Sequence, residues 1–524
     1  MSRISGTSQS VSILDTHLQV GPDHIPREHI YGLTQTSHPS IPSGSSTASS
    51  SILLHKHVSV CATSPADSRH VVVHSLKLSL QKPTMSRPSF RYTTISFDSI
   101  HAAASFVDSC KSWLNHPVYA KNLLVVVNPV SGQRKARETW ENTVLPMFRV
   151  AAVPYEARFT DRPLHATDIT NKLPLSDYCA VVAIGGDGTL HECINGLLQR
   201  SDWECAIKEI PLGMIAGGSG NAFPKCMDNF SPELGALTII KGQTRPMDMF
   251  AAVTPKQTIY SFLSVYYGFI SDVDIDSDRL RMLGPARFPL VALYKVAKFQ
   301  KYKVRIHLLP ANDTSVKALD VPQLPSDVPP QYGPCLKYTA SPDCHSAFPI
   351  HIDTSIVYFN VMNLQWASRD FLAEANARMS DGVLWVNYSA PSITRAEILQ
   401  QILHQEIALD ADSPNALRSP VKAFVLEPLE AYGKGAKRMP GLVKGIVDVS
   451  GEEVDFGPIR CEILPSLVTV FVPSWLDQDR SQVEAAEARA KIFKNKTNST
   501  ANSNGNGNGI DNRNKNNGFW PWCR

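Results

Sequence analysis

The sequence predicts an α/β N-terminal domain, a parallel sheet in a three-layer arrangement, followed by a mainly antiparallel β-sandwich domain. Three observations predict it. Over residues 120–250 short apolar runs alternate with helix-length stretches, as strands buried on both faces and joined by crossover helices do. Three loops in that region carry glycines, and each follows such a run. Over 255–309 and 354–472 the runs become alternating and β-branched, which suits strands paired antiparallel with one face on a core.

With 524 residues the chain has room for two or three domains, and 43% hydrophobic residues support sizeable cores. A formal net charge of +3 gives no reason to expect a nucleic-acid partner. The ten cysteines show no CxxC pair and no metal-ligand spacing. Reduced, mostly buried thiols in a cytoplasmic protein are therefore expected, and no residue is assigned as a metal ligand. No apolar run reaches the length of a membrane span. The first thirty residues include Asp15, His17, Asp23 and His24 and lack the apolar stretch of a signal peptide.

Residues 1–70 are rich in Ser, Thr, Pro and His, with runs Ser43-Gly44-Ser45-Ser46 and Ser49-Ser50-Ser51, so disorder is expected there. A small extension, 71–116, follows. It reads as strands at 71–80 and 90–97 and a helix at 100–113 with Ala104, Phe106, Val107 and Trp113. Two readings suit it: the remnant of a small lipid-binding module, or an extension packed on the domain behind it. The α/β domain is placed at 117–250, with strands at 123–127, 155–159, 178–184 and 211–215. The β-rich domain is placed at 251–475, with strands at 260–266, 304–309, 355–362, 383–388, 423–426, 445–449 and 467–472. Between them 310–350 holds eight prolines and little periodicity, an inserted loop. From 476 a charged helix, 482–493, leads into an Asn/Gly tract at 502–518, expected to be disordered, and the aromatic end Phe519-Trp520-Pro521-Trp522-Cys523-Arg524.

The chemistry sits in the three loops. They are Asn128-Pro129-Val130-Ser131-Gly132-Gln133-Arg134-Lys135, Gly185-Gly186-Asp187-Gly188-Thr189, and Ala216-Gly217-Gly218-Ser219-Gly220-Asn221. All three fall at the carboxyl edge of one parallel sheet, where open α/β sheets bind ligands. A strand that turns on glycines into a helix gathers backbone N–H groups and a positive helix end, which suits phosphate. None fits a Walker loop or a dinucleotide fingerprint. Asp187 stands in the middle of a glycine turn, where it would repel phosphate unless it handles the acceptor hydroxyl or a metal. The chain thus reads as a phosphotransferase with Asp187 as general base. A helix N-cap is the other role open to Asp187. Glu192, one turn further, suits either metal or nucleotide binding, or favourable charge in a first helical turn.

Together these loops resemble the catalytic domain shared by diacylglycerol kinases and sphingosine kinases. The stretch from Gly185 to Leu197 is similar to the family's GDG loop and following helix, and Pro211 to Ala222 to its nucleotide loop. There the family's usual Pro-Ala-Gly is Ala216-Gly217-Gly218. Tyr267 to Asp274, continuing through Arg281 and Leu283 to Phe288, resembles the segment that separates sphingosine kinases from diacylglycerol kinases. The resemblance covers roughly residues 123–472 without the 310–350 insert. It implies an ATP-dependent, Mg2+-using lipid kinase that phosphorylates the primary hydroxyl of sphingoid long-chain bases, with the α/β domain as kinase domain and the β-sandwich as lipid-binding domain. It implies Asp187 as base and Asp274 as partner of the lipid ammonium. A nucleotide site would comprise Asn128, Pro129, Val130, Ser131, Gly132, Thr160, Gly186, Gly188, Glu192, Gly218, Ser219, Gly220, Arg281, Arg287, Gly451 and Glu452. Where the family has Asp-Gly-Glu, this chain has Ser450-Gly451-Glu452. On its residues alone Asp274 also reads as part of a solvated acidic loop with Asp272, Asp276 and Asp278.

A lipid substrate implies peripheral contact with the cytosolic face of membranes. The stretch 290–303, with Lys295, Lys298, Lys301 and Lys303 among apolar residues, suits a domain helix with a solvated basic face, or calmodulin or anionic lipid. The aromatic tail with Cys523 suits the incidental end of a disordered segment, or a second weak anchor. Rival readings are a ceramide or diacylglycerol kinase, whose substrates carry no ammonium, a nicotinamide-nucleotide kinase, and a non-catalytic lipid sensor that keeps the fold.

Overall fold

The computed structural model describes residues 2–4, 10–36, 69–77, 88–131, 134–218, 220–277, 280, 287–314, 333–404, 413–429 and 445–476. The chain forms two compact units. One comprises Met1–Arg245 with Val468–Leu476, and the other is built on Pro246–Leu467.

The first unit opens with strands, contrary to the disorder expected for 1–70. Strands β1 (Ser2–Ile4), β2 (Val11–Ile13), β3 (His17–Val20) and β4 (Asp23–Pro26) form an antiparallel sheet in chain order. Strands β5 (Ile30–Thr36), β6 (His70–Lys77) and β7 (Ser89–Ser96) form a second one. The composition is polar, but alternate residues are not. Val11, Leu18, Val20, Ile25 and Ile30 are buried with Val71, Val73 and Ile95, and that alternation makes strands. The serine runs lie outside the described residues. A helix, Ile100–Leu114, closes this core with Ala103, Phe106, Val107, Cys110 and Leu114. Ser99 caps it by accepting the Ala102 N–H at 3.1 Å, and Asn115 ends it in the left-handed region at φ 47°. The extension therefore begins well before residue 71. It packs on the α/β core, because Tyr31 and Leu76 share a cluster with Phe148 and Val150.

The α/β core is a parallel sheet in the order β9 (Tyr155–Phe159), β8 (Asn122–Val127), β10 (Tyr178–Gly185), β11 (Leu212–Ala216). Leu123, Val125 and Val127 pack with Trp140, Phe148, Leu237 and Ile240 on one face. Leu124 and Val126, which point the other way, are buried too. Both faces are covered, which gives the three layers expected and explains the unbroken apolar runs. The chain steps from β8 to β9 on one side and then to β10 on the other, so a topological switch point lies between β8 and β10.

The second unit is mainly antiparallel. Its strands are β12 (Thr244–Val253), whose first two residues belong to the first unit, then β13 (Thr258–Ser261), β14 (Ser264–Gly268), β15 (Tyr302–Pro310), β16 (Ile350–Ile356), β17 (Tyr358–Met362), β18 (Trp366–Ser368), β19 (Phe371–Leu372), β20 (Leu384–Ser389), β21 (Ala416–Pro428), β22 (Val447–Val449), β23 (Glu452–Val454) and β24 (Ile459–Phe471). β22, β14, β17, β20 and β21 pair successively antiparallel, and β15 lies between β16 and β21. One core holds Phe250, Tyr267, Val304, Ile306, Phe359, Val361, Phe424 and Cys461.

Several boundaries differ from expectation for local reasons. The run 355–362 divides at Val357, whose N–H donates to Ser389 Oγ at 2.7 Å instead of joining the ladder. The second unit begins at Pro246, and the chain returns to the first unit at Val468, where β24 runs parallel to β11 at Val470 and Leu212. The insert is anchored after residue 333: buried Glu462 accepts the N–H groups of Lys337, Tyr338 and Thr339 at 2.7–2.8 Å. The charged helix and aromatic tail lie outside the described residues.

Candidate active site

The three glycine loops leave the carboxyl ends of β8, β10 and β11, and the first two flank the switch point. Backbone and side chains lock them together. Asn128 N–H donates to Ile184 O at 3.0 Å, and Asn128 Nδ2 donates to Thr189 Oγ1 at 3.2 Å. Its Oδ1 accepts Val130 N–H at 3.2 Å, which turns the chain at Pro129 and sets Val130 out at 70% exposure. Gly217 N–H donates to Gly185 O at 2.9 Å. A Cβ on Gly218 would meet Gly186 Cα at 2.5 Å, and one on Gly186 would meet Ser131 Oγ at 3.3 Å. The glycines are thus required by close backbone approach between loops. Gly188 faces open space. Thr160, just past β9, is buried, with its N–H on Val127 O at 2.9 Å.

Asp187 is the first residue of the helix Asp187–Leu198, yet it does not cap that helix. Its Oδ2 accepts Ala222 N–H at 2.9 Å and its Oδ1 accepts Phe223 N–H at 2.8 Å. These are the first N–H groups of the short helix Ala222–Cys226 that follows loop three. Burial raises the Asp187 carboxyl above its ordinary range, and the two N–H groups oppose that rise. The carboxylate therefore holds loop three, and the Asp187 N–H also bears on it. Loop three is fixed from within by Asn221, whose Oδ1 accepts Gly218 N–H and whose Nδ2 donates to Gly218 O. Asn221 adopts φ 50°. Sequence reasoning missed Asn221 and Thr189; an asparagine next to the Gly-Ser-Gly turn, a residue type that tolerates the left-handed region, was the available signal.

Glu192 is tied to the segment that follows β9. Its Oε2 accepts Ala166 N–H at 3.1 Å, at the start of the helix His165–Asn171. It positions the segment after Thr160, because a carboxylate at a helix N-terminus meets free N–H groups and a favourable dipole. Gly132, Ser219 and Arg281 lie outside the described residues, as does Asp278.

The remaining predicted residues belong to the second unit. Asp274 is on the helix Phe269–Ser277, not in a solvated loop. Helical spacing separates the acids. Asp272 and Asp276 share Lys295 at 3.3 and 2.6 Å, and buried Asp272 also accepts the Tyr302 hydroxyl. Asp274 faces Asp448 on β22 instead: burial first, then the Asp274 carboxyl, raises Asp448 well above the carboxylate range, while Gly451 N–H, at 2.7 Å from Asp448 Oδ1, opposes it. The buried Asp448 carboxyl also shares a hydrogen bond with the Asp274 side chain. Two facing carboxyls make a site for a cation or a shared proton.

Ser450 and Gly451 form the two-residue turn between β22 and β23, with φ 54° and 91°, the conformation of a tight hairpin. Ser450 Oγ is bound to Ser261 Oγ and lies 3.3 Å from Ser264 O. Asp448, two positions earlier, is the carboxylate next to this turn, and sequence reasoning missed it. Its signal was an acid inside the apolar strand Val447-Asp448-Val449. Glu452 is exposed beyond the turn. Arg287 opens the helix Arg287–Lys298 with its guanidinium 4.5 Å from the Phe288 ring centroid.

The profile described as "Diacylglycerol kinase catalytic domain" matches residues 122–252, the stretch that holds all three loops. Sphingosine kinase 1 of Arabidopsis thaliana is 32% identical over 346 residues, covering 63% of this chain and 68% of its own. Sphingosine kinase 1 of Homo sapiens is 29% identical over 382 residues, covering 68% and 94%. Among solved structures, a diacylglycerol kinase from Bacillus anthracis str. Sterne covers 69% of this chain and 100% of its own, at 18% identity and a TM-score of 0.44.

Proposed function

Since the chain belongs to the sphingosine kinase family, we propose how its residues carry out the family's reaction. The protein is an ATP-dependent lipid kinase, a phosphotransferase acting on the alcohol of a sphingoid long-chain base. In our reading the primary hydroxyl oxygen of the base attacks the γ-phosphorus. The bond to the bridging β-phosphate oxygen breaks, and Asp187 takes the hydroxyl proton. The observation that carries this role is the Asp187 carboxylate itself: it is fixed by Ala222 and Phe223 at the switch point and made more basic by burial. We take Asn128, Pro129, Val130, Ser131, Gly132, Gly186, Gly188, Gly218, Ser219 and Gly220 as the loop residues that line the phosphates, with Thr160 bordering the site. We carry Glu192, Arg281, Arg287, Gly451 and Glu452 as nucleotide-binding residues on the resemblance of their segments to the family's, Glu192 also holding the segment after Thr160.

A magnesium ion is implied by such a kinase. Asp187 is the carboxylate at the glycine loops that would stand beside an ion carried on the nucleotide phosphates. When bound the ion neutralises phosphate charge.

The lipid ammonium docks between Asp274 and Asp448. A cation there relieves two facing carboxyls at once through charge-assisted hydrogen bonds. Ceramide and diacylglycerol offer no cation. The β-rich unit takes the alkyl chain, each buried methylene contributing about 0.8 kcal/mol. A labelled-ATP assay against sphingoid bases, ceramide and diacylglycerol in parallel tests this. Label should enter the bases alone, and equal labelling of ceramide would contradict the ammonium reading.

No helix among the described residues is long and apolar enough to cross a membrane. We read the attachment as peripheral, on the cytosolic face. The helix Arg287–Lys298 exposes Leu290, Leu293 and Tyr294 at 54–55% along one stripe, next to Lys298. Lys295 is engaged by Asp272 and Asp276, and Lys301 by Pro391 O. That leaves a greasy stripe with little free basic charge, which favours a lipid surface over calmodulin. The doubly substituted Leu290→Gln, Leu293→Gln protein should float less with vesicles; unchanged flotation would remove this helix from the account. The seven strands and helix of the N-terminal region fit a lipid-binding module in the same role.

A further inference from the structure

Away from the proposed kinase residues, three imidazoles and a carboxylate converge on one face of the β15 ladder. His307 sits on β15, buried at 3% exposure. Its direct cross-strand partner on β16 is His351, and the two Nδ1 atoms are 2.6 Å apart. On the other flank β21 brings Glu427, paired with Arg305 in register, so that its Oε2 lies 3.5 Å from His307 Nε2. His345 comes from a different element, the single helical turn Cys344–Ala347 near the end of the proline-rich insert. Its ring centroid is 4.8 Å from that of His307. Ligand atoms of His307, His345 and Glu427 all lie within 4.8 Å of one another. A cavity of about 470 Å³ opens here, lined by Arg305, His307, His345, His351 and Asp353.

Hydrogen bonding does not account for this cluster. One proton between His307 and His351 explains their contact. His345 Nδ1 is buried with no hydrogen-bond partner, which costs about 1–3 kcal/mol for a group that water would otherwise satisfy. The nearest cation, Arg305, has its fork on Asp353 at 2.7 and 3.0 Å and reaches Glu427 only at 3.8 Å. The Glu427 oxygen therefore still faces the imidazoles.

We propose that His307, His345 and Glu427 bind a divalent transition-metal ion, zinc by the chemistry of the donors, with His351 as the hydrogen-bond partner of His307, and that this ion staples the insert to the sheet. Imidazole nitrogen with one carboxylate suits zinc and its neighbours in the first row, whereas magnesium and calcium take oxygen. Ligands at zinc bond lengths of about 2.0–2.1 Å stand roughly 3.3 Å apart, so the ligand atoms of His307, His345 and Glu427, within 4.8 Å of one another, need only to tighten, with water in the remaining position. The role is structural. β15, β16 and β21 are bound to one another by their ladders, but the turn that carries His345 has no ladder of its own. The metal adds a cross-link there, as Glu462 does at residues 337–339. The pattern escaped sequence reading because His307, His345, His351 and Glu427 are not at motif spacing; pairing of strands brings them together.

Full-length protein stripped with a chelator, given Zn2+ and desalted, tests the proposal by metal analysis. Wild type should retain about one equivalent through this set of ligands, and zinc should raise its melting temperature. His345→Gln and Glu427→Gln should retain none and show no zinc-dependent shift. Exposed His351→Gln keeps the test decisive if the others fail to fold. Loss of this partner of His307 should weaken zinc by roughly 10–100-fold, and unchanged zinc affinity would count against the proposal. Sphingoid kinase activity should survive in the variants. A wild type that holds no zinc, variants that hold as much as wild type, or a cobalt form with a thiolate charge-transfer band would each overturn it.

Discussion

Asp187 Oδ1 accepts the backbone N–H of Phe223 at 2.8 Å across two glycine loops. The same carboxylate is thus a brace for the nucleotide loop and, in the proposed mechanism, the proton acceptor. Asp187→Asn separates the two roles. It keeps one acceptor oxygen and turns an amide toward the other N–H, so it should cost about 1 kcal/mol of stability while lowering kcat by roughly 10²–10⁴-fold. Melting curves beside steady-state rates check this; a near wild-type kcat would remove the base assignment.

The pH dependence has a definite sign. A general base must be ionised, and burial raises the Asp187 carboxyl. Activity should therefore fall, as pH drops, at a higher pH than an ordinary aspartate near 3.9 would give. The measurement is kcat against pH under conditions where the fold is intact. A rate that stays flat down to the ordinary aspartate range contradicts the raised value.

Gly218→Ala places a Cβ 2.5 Å from Gly186 Cα. Backbone cannot rotate away as a flexible side chain would, so loops two and three must part. We expect a loss of about 1–3 kcal/mol of stability from overpacking and a raised KM for ATP, with the KM for the sphingoid base little changed. Equal effects on both substrates would show that loop three is not specific to the nucleotide.

Asp448→Asn keeps an acceptor for the Gly451 N–H and removes a buried negative charge beside Asp274. The folded Asp448 carboxyl lies well above its unfolded value. Its contribution to stability is full below the unfolded value and is lost as pH rises through the folded one. At neutral pH the wild type carries the penalty, so the variant should melt higher there, and the difference should vanish in acid. The same change should raise the KM for the sphingoid base. Thermal melts from acid to neutral pH, with KM alongside, decide it: a variant that melts lower at neutral pH would mean Asp448 is stabilised as an anion.

The sequence and the structure agree where a local pattern has a local cause. The runs at 123–127 and 155–159 are strands within a residue of their predicted limits, because strands buried on both faces read as unbroken apolar stretches. Asp187 and the three loops were legible because turns and helix starts are written in consecutive residues. The rest depends on distant partners. Val11, Leu18 and Ile25 alternate inside a serine-rich context that masks them, and only their packing on the helix Ile100–Leu114 makes them strands. Glu192 and Asp187 each cap a helix other than their own, which helical position alone cannot reveal. Asp448 gains its meaning from Asp274, 174 positions earlier (448 − 274) in the chain.

The most direct test of the ammonium reading is the effect of Asp274→Asn on each substrate of the same reaction. A charge-assisted hydrogen bond contributes about 1.5–3 kcal/mol, so kcat/KM for the sphingoid base should fall by roughly 10- to 100-fold. The KM for ATP should stay near the wild-type value. An equal loss toward ATP and the sphingoid base, or no loss toward the base, would contradict the assignment of Asp274 and Asp448 as the site that reads the lipid's charge.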